Sequence, residues 1–436
     1  MNYSQTIDYL FNKTLVFQHV GAQAYKPGLE TTLELAELFR NPHNAFKAIH
    51  VAGTNGKGST SHLLAAALQN SGFKVGLYTS PHLLDFRERI RVNGEKISEE
   101  AVIKFVEDFL ASGYSGRQPS FFELTTIMAF KYFKEQEVDI AVIETGLGGR
   151  LDSTNIISPI LSIITNISFD HTQFLGDTLA KIAHEKAGII KPGIPVVIGE
   201  THPETEQVFC NKSKEQNSEI IFADQNAEVI EHKKVNDMLI MKTKSFGEIT
   251  GELSGDCQVK NANTVLNAIK ALNSARLNIT TDNIKSAFAN VCKQTGLLGR
   301  WMKVQSSPRT FCDTGHNTGG FQYIANQLKN EKYETLRIVI GFVSDKDFTH
   351  ILEKLPQNAI YYFTEASVKR ALPKEVLVEY ANKVGLKFST FASVKDAFEK
   401  ANADSKEDDM IYVGGSTFIV ADLLEYLKNK QETTLN

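Results

Sequence analysis

Short, nearly continuous apolar runs alternate along the chain with stretches whose apolar residues recur at helical spacing. "FKAIHVAG" is followed by "STSHLLAAALQNSGF", then "KVGLYTS", "VDIAVIETG", "PILSIITNIS", "TLAKIAHEKAGII" and "PVVIGE". This alternation predicts βαβ units around a parallel sheet, and runs such as "IAVI" and "ILSII" suit strands covered on both faces. Polar loop residues cluster at the C-terminal ends of these strands, where open α/β sheets bind ligands.

From about residue 225 to 252 the period changes, and "DMLIMKT" and "FGEITGEL" alternate as antiparallel hairpin strands do. Helical patterns follow at Gln258–Ala275 and Asp282–Val291, and "KQTGLLGR" then breaks the pattern as a linker. The alternation restarts with "TFCDTG", "LRIVIGF", "AIYYFTEA" and "MIYVGG". The expected architecture is therefore α/β: an N-terminal P-loop-type parallel-sheet domain over residues 1–295 with a small β appendage, and a smaller Rossmann-like C-terminal domain over 300–436. "NADSKEDD" reads as a solvated turn and "KQETTLN" as a frayed tail.

Composition narrows the choice of partners. The chain has 436 residues, enough for two or three domains, and carries 47 basic against 51 acidic residues. Neither nucleic acid nor a membrane surface is implied by so even a balance, so an anionic ligand must be held by local groups. Cys210, Cys257, Cys292 and Cys312 show no C-x-x-C or metal spacing. "MNYSQTIDYLFNKTLVF" lacks a continuous apolar core, and no apolar run reaches membrane-spanning length, so the expectation is a cytoplasmic protein.

The strongest local signal is "VAGTNGKGST" at residues 51–60. A strand-to-helix turn needs about one glycine, whereas Gly53, Gly56 and Gly58 surround Lys57. Glycines let backbone N–H groups approach a ligand, and those amides, the helix dipole and an ammonium all favour phosphate. Gly53, Thr54, Asn55, Gly56, Lys57, Gly58, Ser59 and Thr60 are thus the candidate nucleotide loop. The strict G-x-x-x-x-G-K-[ST] pattern is not met, because Val51 and Gly58 occupy its first and last positions.

The "GTNGKGS" form resembles the ATP-dependent Mur ligase superfamily, and within it the folylpolyglutamate synthase and dihydrofolate synthase family. "YTSPHLLDFRERIRVNG", "FFELTT", "IETGLGGRLDSTN", "SFDHTQFLG", "HEKAGIIK", "QVKNA", "GRW", "DTGHN" and "GGSTF" occur in the order that the family has them. The sequence departs from it at Leu298, where proline is frequent, at Cys257, where His or Tyr is usual, and at Thr314.

The resemblance implies an enzyme that adds L-glutamate to dihydropteroate or reduced folates with ATP and Mg²⁺, through an acyl phosphate. It implies Ser80, Glu144 and His171 as metal ligands and Asn261, Arg300, Asp313, His316 and Ser416 as nucleotide contacts, the latter across a domain cleft. Phe121, Phe122 and Glu123 would wall the pterin pocket. Lys57, Lys186 and His171 would serve catalysis, with Lys186 carbamylated on its side chain, and a monomer is implied.

Each residue also has an ordinary structural reading. Glu144 ends a buried strand and could pair with Arg150. His171 could be a hydrogen-bonded loop residue, and imidazole is an unusual ligand for Mg²⁺. "TGLGGR" could be a helix-packing turn, and Asp152 and Asn155 beyond it could order groups around the metal. "DTGHN" could be an Asx-turn that starts a helix, and Ser416 a helix cap. Phe121 and Phe122 could be core, and Lys186 could pair with Glu185 or Asp170. Two rival functions stand beside the ligase: a Mur-type ligase acting on a UDP-muramoyl peptide, and a non-catalytic nucleotide-binding regulator. The former usually carries an extra N-terminal domain, for which fifty residues before the glycine loop leave no room; the latter need not keep Glu144, His171 and Lys186 together.

Overall fold

The computed structural model describes residues 1–14, 28–344 and 348–435. The last three residues of the N-terminal stretch read above, Leu15–Phe17, lie outside them, as does Asn436. The chain divides into two compact units, Met1–Leu297 and Leu298–Asn436.

The first unit is built on eight strands: β1 (Lys47–Ala52), β2 (Val75–Tyr78), β3 (Ile90–Val92), β4 (Glu95–Lys96), β5 (Ile140–Glu144), β6 (Leu161–Ile164), β7 (Val196–Ile198) and β8 (Ile220–Phe222). They lie in the order β4-β3-β2-β5-β1-β6-β7-β8, parallel from β2 to β8, with β3 and β4 antiparallel at one edge. The apolar runs have the predicted cause. Along β1, Ala48 joins one core with Phe130 and Ile143, while Ile49 and Val51 join another with Leu64, Leu266 and Ile269. Both faces are thus dry, and alternation of polar and apolar residues would have been costly.

The chain leaves β1 for β2, returns to place β5 between them, and then puts β6 on the other side of β1. Strand order reverses at β1, so a crevice opens at its C-terminal end, between the ends of β5 and β6. The register sets Val51 beside Glu144 and Ala52 beside Ile164.

β9 (Val229–Val235), β10 (Met238–Thr243) and β11 (Glu248–Gly251) form the small antiparallel appendage, whose Leu239, Met241 and Ile249 pack into the Ile49 core. Two boundaries differ from expectation. The helix read as Asp282–Val291 spans Thr281–Thr295, so the linker stretch beginning at Lys293 is helical for three residues. Gly296, at φ 70°, ends it in the left-handed region that glycine adopts without strain. The tail read as frayed continues the last helix, Thr417–Leu435, because Ile419, Val420 and Leu423 on that helix are fully buried.

The second unit has β12 (Met302–Ser306), β13 (Arg309–Cys312), β14 (Leu336–Ile340), β15 (Ile360–Phe363), β16 (Lys387–Thr390) and β17 (Met410–Gly414), in the order β12-β13-β17-β14-β15-β16. All but β12 run parallel. Order reverses around β17, so the ends of β13 and β17 lie side by side, with the Asp313 N–H donating to the Val413 carbonyl at 3.2 Å.

Candidate functional site

The glycine loop leaves β1 and enters the helix Lys57–Asn70. Gly53 has φ 145°, and a Cβ there would stand 1.8 Å from the Thr165 hydroxyl oxygen; at Gly56, φ 84°, it would stand 2.3 Å from Asn261 Oδ1. No side chain among the described residues caps the helix that begins at Lys57, so its first N–H groups face outward and favour an anion. The loop is braced from β6 and beyond. Thr54 N–H donates to the Asn166 carbonyl at 2.9 Å, Asn55 N–H to Asn166 Oδ1 at 2.9 Å, and the Thr165 hydroxyl to the Asn55 carbonyl at 2.6 Å. Thr165, Asn166 and Ser168 escaped the sequence reading, since nothing in "TNIS" distinguishes them from an ordinary strand end.

Two lysines meet at this loop. Lys57 Nζ donates to the Gly53 carbonyl at 3.1 Å and to the Thr54 carbonyl at 3.2 Å, and Lys186 Nζ donates to the same Gly53 carbonyl at 2.8 Å. Lys186 is 4% exposed. Burial first, and the Lys57 charge second, bring its ammonium down to about 7, against the opposing pull of Asp170 and Asp152. The alternative pairing with Glu185 is not what the structure has, because Arg150 holds that carboxylate at 2.9 Å. The same contact directs Arg150 away from the pairing with Glu144 considered above.

Glu144 is buried at the end of β5, where Oε2 accepts the Ser80 N–H at 3.4 Å. His171 follows β6 with φ 49°, its N–H donating to Asp170 Oδ1 at 2.9 Å and its ring nitrogen Nε2 3.8 Å from the same oxygen. Ser80 and Glu144 are therefore together, whereas no group of three or more His, Cys, Asp or Glu side chains suited to a metal gathers among the described residues. Hard oxygens from a carboxylate and a hydroxyl fit Mg²⁺, which holds few protein ligands and keeps several waters.

The "TGLGGR" loop does serve as a packing turn. A Cβ on Gly149 would sit 3.0 Å from the carbonyls of Glu185 and Lys186, so the glycine brings the Lys186 helix, Leu179–Ala187, against the end of β5. Asp152 shapes the loop: Oδ2 accepts the N–H groups of Gly146 at 2.9 Å and Leu147 at 2.8 Å, and Oδ1 that of Thr154 at 3.0 Å. Asn155 Nδ2 ties the loop to the same helix through the Arg150 and Gly188 carbonyls at 3.0 and 3.1 Å.

The aromatic wall divides. Phe121 is buried, with Phe11 at 4.9 Å and Phe86 at 5.9 Å between ring centroids. Glu123 caps its own helix, Oε2 accepting the Ser120 N–H at 2.7 Å. Phe122 alone of the three is half-exposed, its ring 2.5 Å from where a Cβ on Gly146 would be. Asn261, on the helix Gln258–Ser274, lies over Gly56 and donates to Gln258 Oε1 at 2.9 Å, while Gln258 Nε2 reaches the Ser59 hydroxyl at 3.3 Å.

In the second unit, the structure has the turn and capping contacts considered above. Asp313 Oδ1 accepts the Gly315 N–H at 2.7 Å, an Asx-turn, and Oδ2 accepts the Trp301 N–H at 2.7 Å. Burial pushes its carboxyl up, opposed by the Arg300 charge. Arg300 Nη1 donates to the Thr314 hydroxyl. His316 Nδ1 lies 3.0 Å from the Thr314 carbonyl, which makes Nδ1 the protonated nitrogen. Asn317 Oδ1 caps the next helix through the Gly320 N–H at 2.8 Å, and the buried Ser416 hydroxyl accepts the Ile419 N–H at 3.2 Å.

Gly56→Ala is expected to lower the melting temperature by several degrees and to weaken nucleotide binding more than tenfold. The left-handed φ costs about 1 kcal/mol for alanine, and the new methyl displaces Asn261. Calorimetry with and without ADP checks it; an unchanged melting curve and affinity would contradict this account of the loop.

Residues 51–269 match the Mur ligase middle domain, and residues 299–417 the Mur ligase glutamate ligase domain. The chain is 33% identical over 423 residues to the dihydrofolate synthase/folylpolyglutamate synthase of Bacillus subtilis, covering 92% of this chain and 95% of the relative. It is 31% identical to a probable bifunctional folylpolyglutamate synthase/dihydropteroate synthase of Haloferax volcanii, with 97% of this chain covered, and spans 50% of that longer protein. The E. coli FolC structure in complex with DHPP and ADP superimposes with a TM-score of 0.84, at 30% identity and 99% coverage of both chains. A Yersinia pestis bifunctional folylpolyglutamate synthase/dihydrofolate synthase complexed with AMPPNP and Mn gives a TM-score of 0.81 at 28% identity, with 98% of each chain covered. A bifunctional folylpolyglutamate synthase/dihydrofolate synthase with Mn, AMPPNP and L-glutamate bound also gives a TM-score of 0.81, at 28% identity. A match of this extent to both Mur ligase domains, joined to likeness along nearly the whole of a curated relative, places the chain in the dihydrofolate synthase/folylpolyglutamate synthase family of the Mur ligases, as an ATP-dependent ligase.

Proposed function

We propose that this protein joins L-glutamate to the carboxylate of dihydropteroate and of reduced folates, using ATP and Mg²⁺. The observation that carries the reading is the Lys57 ammonium over a glycine loop at an uncapped helix N-terminus. Such a site is short of negative charge and suits a polyphosphate. The ligands in these solved structures support the same reading.

A carboxylate is a poor electrophile, so it is activated first. Its oxygen attacks the γ-phosphorus of ATP and ADP leaves; the glutamate amine then attacks the acyl carbon, loses a proton, and the tetrahedral intermediate expels phosphate. Lys57 binds phosphoryl oxygens while the loop amides hold the chain of phosphates in line. Glu144 and Ser80 offer the oxygen ligands for Mg²⁺, with His171 on the far side of the loop. When bound, the ion neutralises charge spread over the transferring phosphoryl group. The family resemblance assigns Arg300, Asp313, His316 and Ser416 to the nucleotide, and Phe122 to the pterin pocket. Phe121 and Glu123 support it from behind, by packing and by capping. A cytoplasmic monomer is part of the same proposal. Among the described residues no helix is long and apolar enough to cross a membrane.

The test is glutamate-dependent ATP turnover with dihydropteroate, tetrahydrofolate and a UDP-muramoyl peptide in parallel. Turnover is expected with the first two and not the third. Turnover with the muramoyl peptide alone, or with none in the presence of Mg²⁺, would overturn the proposal.

A further inference from the structure

Arg89 immediately precedes β3, at the sheet end that also carries Ser80 and Glu144; its carbonyl accepts the Thr79 N–H at 3.0 Å. The residue is 3% exposed, with its guanidinium carbon 5.1 Å from the centre of the Phe121 ring. Nε donates to His82 Nδ1 at 2.7 Å. A ring nitrogen that accepts a hydrogen bond carries no proton, so His82 is a neutral acceptor and brings no balancing charge.

Arg89 forms no ion pair and no further side-chain hydrogen bond among the described residues; burial disfavours its charge, and the Glu144 and Glu88 carboxylates oppose this only from beyond ion-pair distance. Glu88, its neighbour, is committed elsewhere, accepting the N–H groups of Leu83, Leu84 and Asp85 at 2.8, 3.1 and 3.0 Å. A guanidinium has five N–H donors, and here one is used. Burying such a charge without a partner is costly unless an anion completes it. Its planar fork suits a carboxylate in two parallel hydrogen bonds.

The position in the sheet says whose carboxylate. Along the edge run, in order, the glycine loop at β1, Glu144 at β5, Ser80 after β2 and Arg89 before β3. The phosphoryl group belongs at the loop end, and Arg89 stands at the other, against the aromatic wall. Phe121 beneath the guanidinium and the half-exposed Phe122 beside Gly146 suit a flat ring, which points to the pterin-bearing acceptor as the source of the carboxylate. A tight clamp on the reacting carboxylate would stabilise the ground state, whose charge is lost on phosphorylation, and so slow the reaction. A carboxylate that keeps its charge throughout is the better occupant.

We propose, resting on the ligase reading above, that Arg89 binds the non-reacting α-carboxylate of a folate acceptor that already carries glutamate, and so favours folates over dihydropteroate. Dihydropteroate has a single carboxylate, the reacting one.

The test compares wild type, Arg89→Lys and Arg89→Ala with tetrahydrofolate monoglutamate, its α-carboxamide, and dihydropteroate, measuring kcat and KM for each acceptor and for L-glutamate. With the tetrahydrofolate, Arg89→Ala is expected to lower kcat/KM on the order of 10²-fold, chiefly through KM, with Lys recovering part of it. The α-carboxamide should show a similar loss in wild type and little further loss in Arg89→Ala, because the two changes remove one interaction. The loss with dihydropteroate should be much smaller. Equal losses with all acceptors, a rise confined to the glutamate KM, or additive effects of the carboxamide and the substitution would overturn the proposal. The carboxamide measurement on wild type stands even if the alanine variant misfolds: undiminished use of it refutes the contact. Failure of the ligase reading is distinct, since wild type would then turn over neither acid.

Discussion

Lys57→Ala is expected to keep its fold and lose amide synthesis by roughly 10²- to 10³-fold or more, because a preorganised contact to the phosphoryl charge is removed. The side chain is half-buried and, among the described residues, hydrogen-bonds only the carbonyls of Gly53 and Thr54, while the loop is braced separately by Asn166, which accepts the Thr54 and Asn55 N–H groups, and by Thr165, whose hydroxyl donates to the Asn55 carbonyl. Removing it therefore leaves no buried charge without a partner. Removing it also takes away a like charge beside Lys186, one of the two causes that lower that lysine. The measurements are steady-state turnover with saturating substrates and a thermal melt. Near-normal turnover would remove Lys57 from phosphoryl binding, and a collapse of the melt would make its role structural.

Lys186→Ala is expected to lose activity on a similar scale, of about 10²-fold or more, and to regain part of it with a short carboxylate such as acetate. The reason is a carbamate on Nζ, which we propose from the family resemblance together with the burial of the side chain. Only a neutral amine attacks CO₂; the N–C bond forms, a proton leaves, and a cation becomes an anion. With its ammonium brought down to about 7 from 10.5, a large share of Lys186 is neutral at physiological pH. An anion there would favour a bound Mg²⁺, which an ammonium would repel. Activity should fall in CO₂-depleted buffer and return with bicarbonate. Full activity after CO₂ removal would refute the carbamate.

The unmodified lysine makes a separate prediction. In CO₂-free buffer the unfolded chain binds a proton at Lys186 up to about pH 10.5, whereas the folded chain releases it near 7. The unfolded state thus holds more protons between these values, and stability contributed by this group rises with pH across that window. Below about 7 both states are protonated and the contribution is flat. Lys186→Met should remove the slope, as melting temperatures from pH 6 to 10 would show.

Several features were determined by the sequence alone. The alternation of apolar runs and helical patterns predicted two α/β units with an antiparallel appendage, because burial of a strand on both faces or of a helix on one is written in residues close together. The glycines of "GTNGKGS" predicted a phosphate loop for the same reason: φ values of 145° and 84° are local demands that few residues besides glycine meet. Ordered motifs carried the family. The sequence left two readings each for Asp313 and Ser416 and one, a pocket wall, for Glu123; the fold gives all three a capping or turn hydrogen bond, since a side chain three residues or fewer from an N–H group reaches it readily.

Tertiary structure decided what depends on distant pairs. Lys186 lies 133 residues from Gly53, and only the packing of Gly149 on its helix brings its ammonium to the loop carbonyl and makes it a weak base. Asn261 reaches Gly56 from a helix some 200 residues further along the chain. Arg89 read as one basic residue in "DFRERIRV", and its burial over Phe121 without an acidic partner exists only in the fold. Charge on a side chain is a property of its residue type; desolvation of that charge is a property of every atom around it, and those atoms come from elements that no local pattern joins.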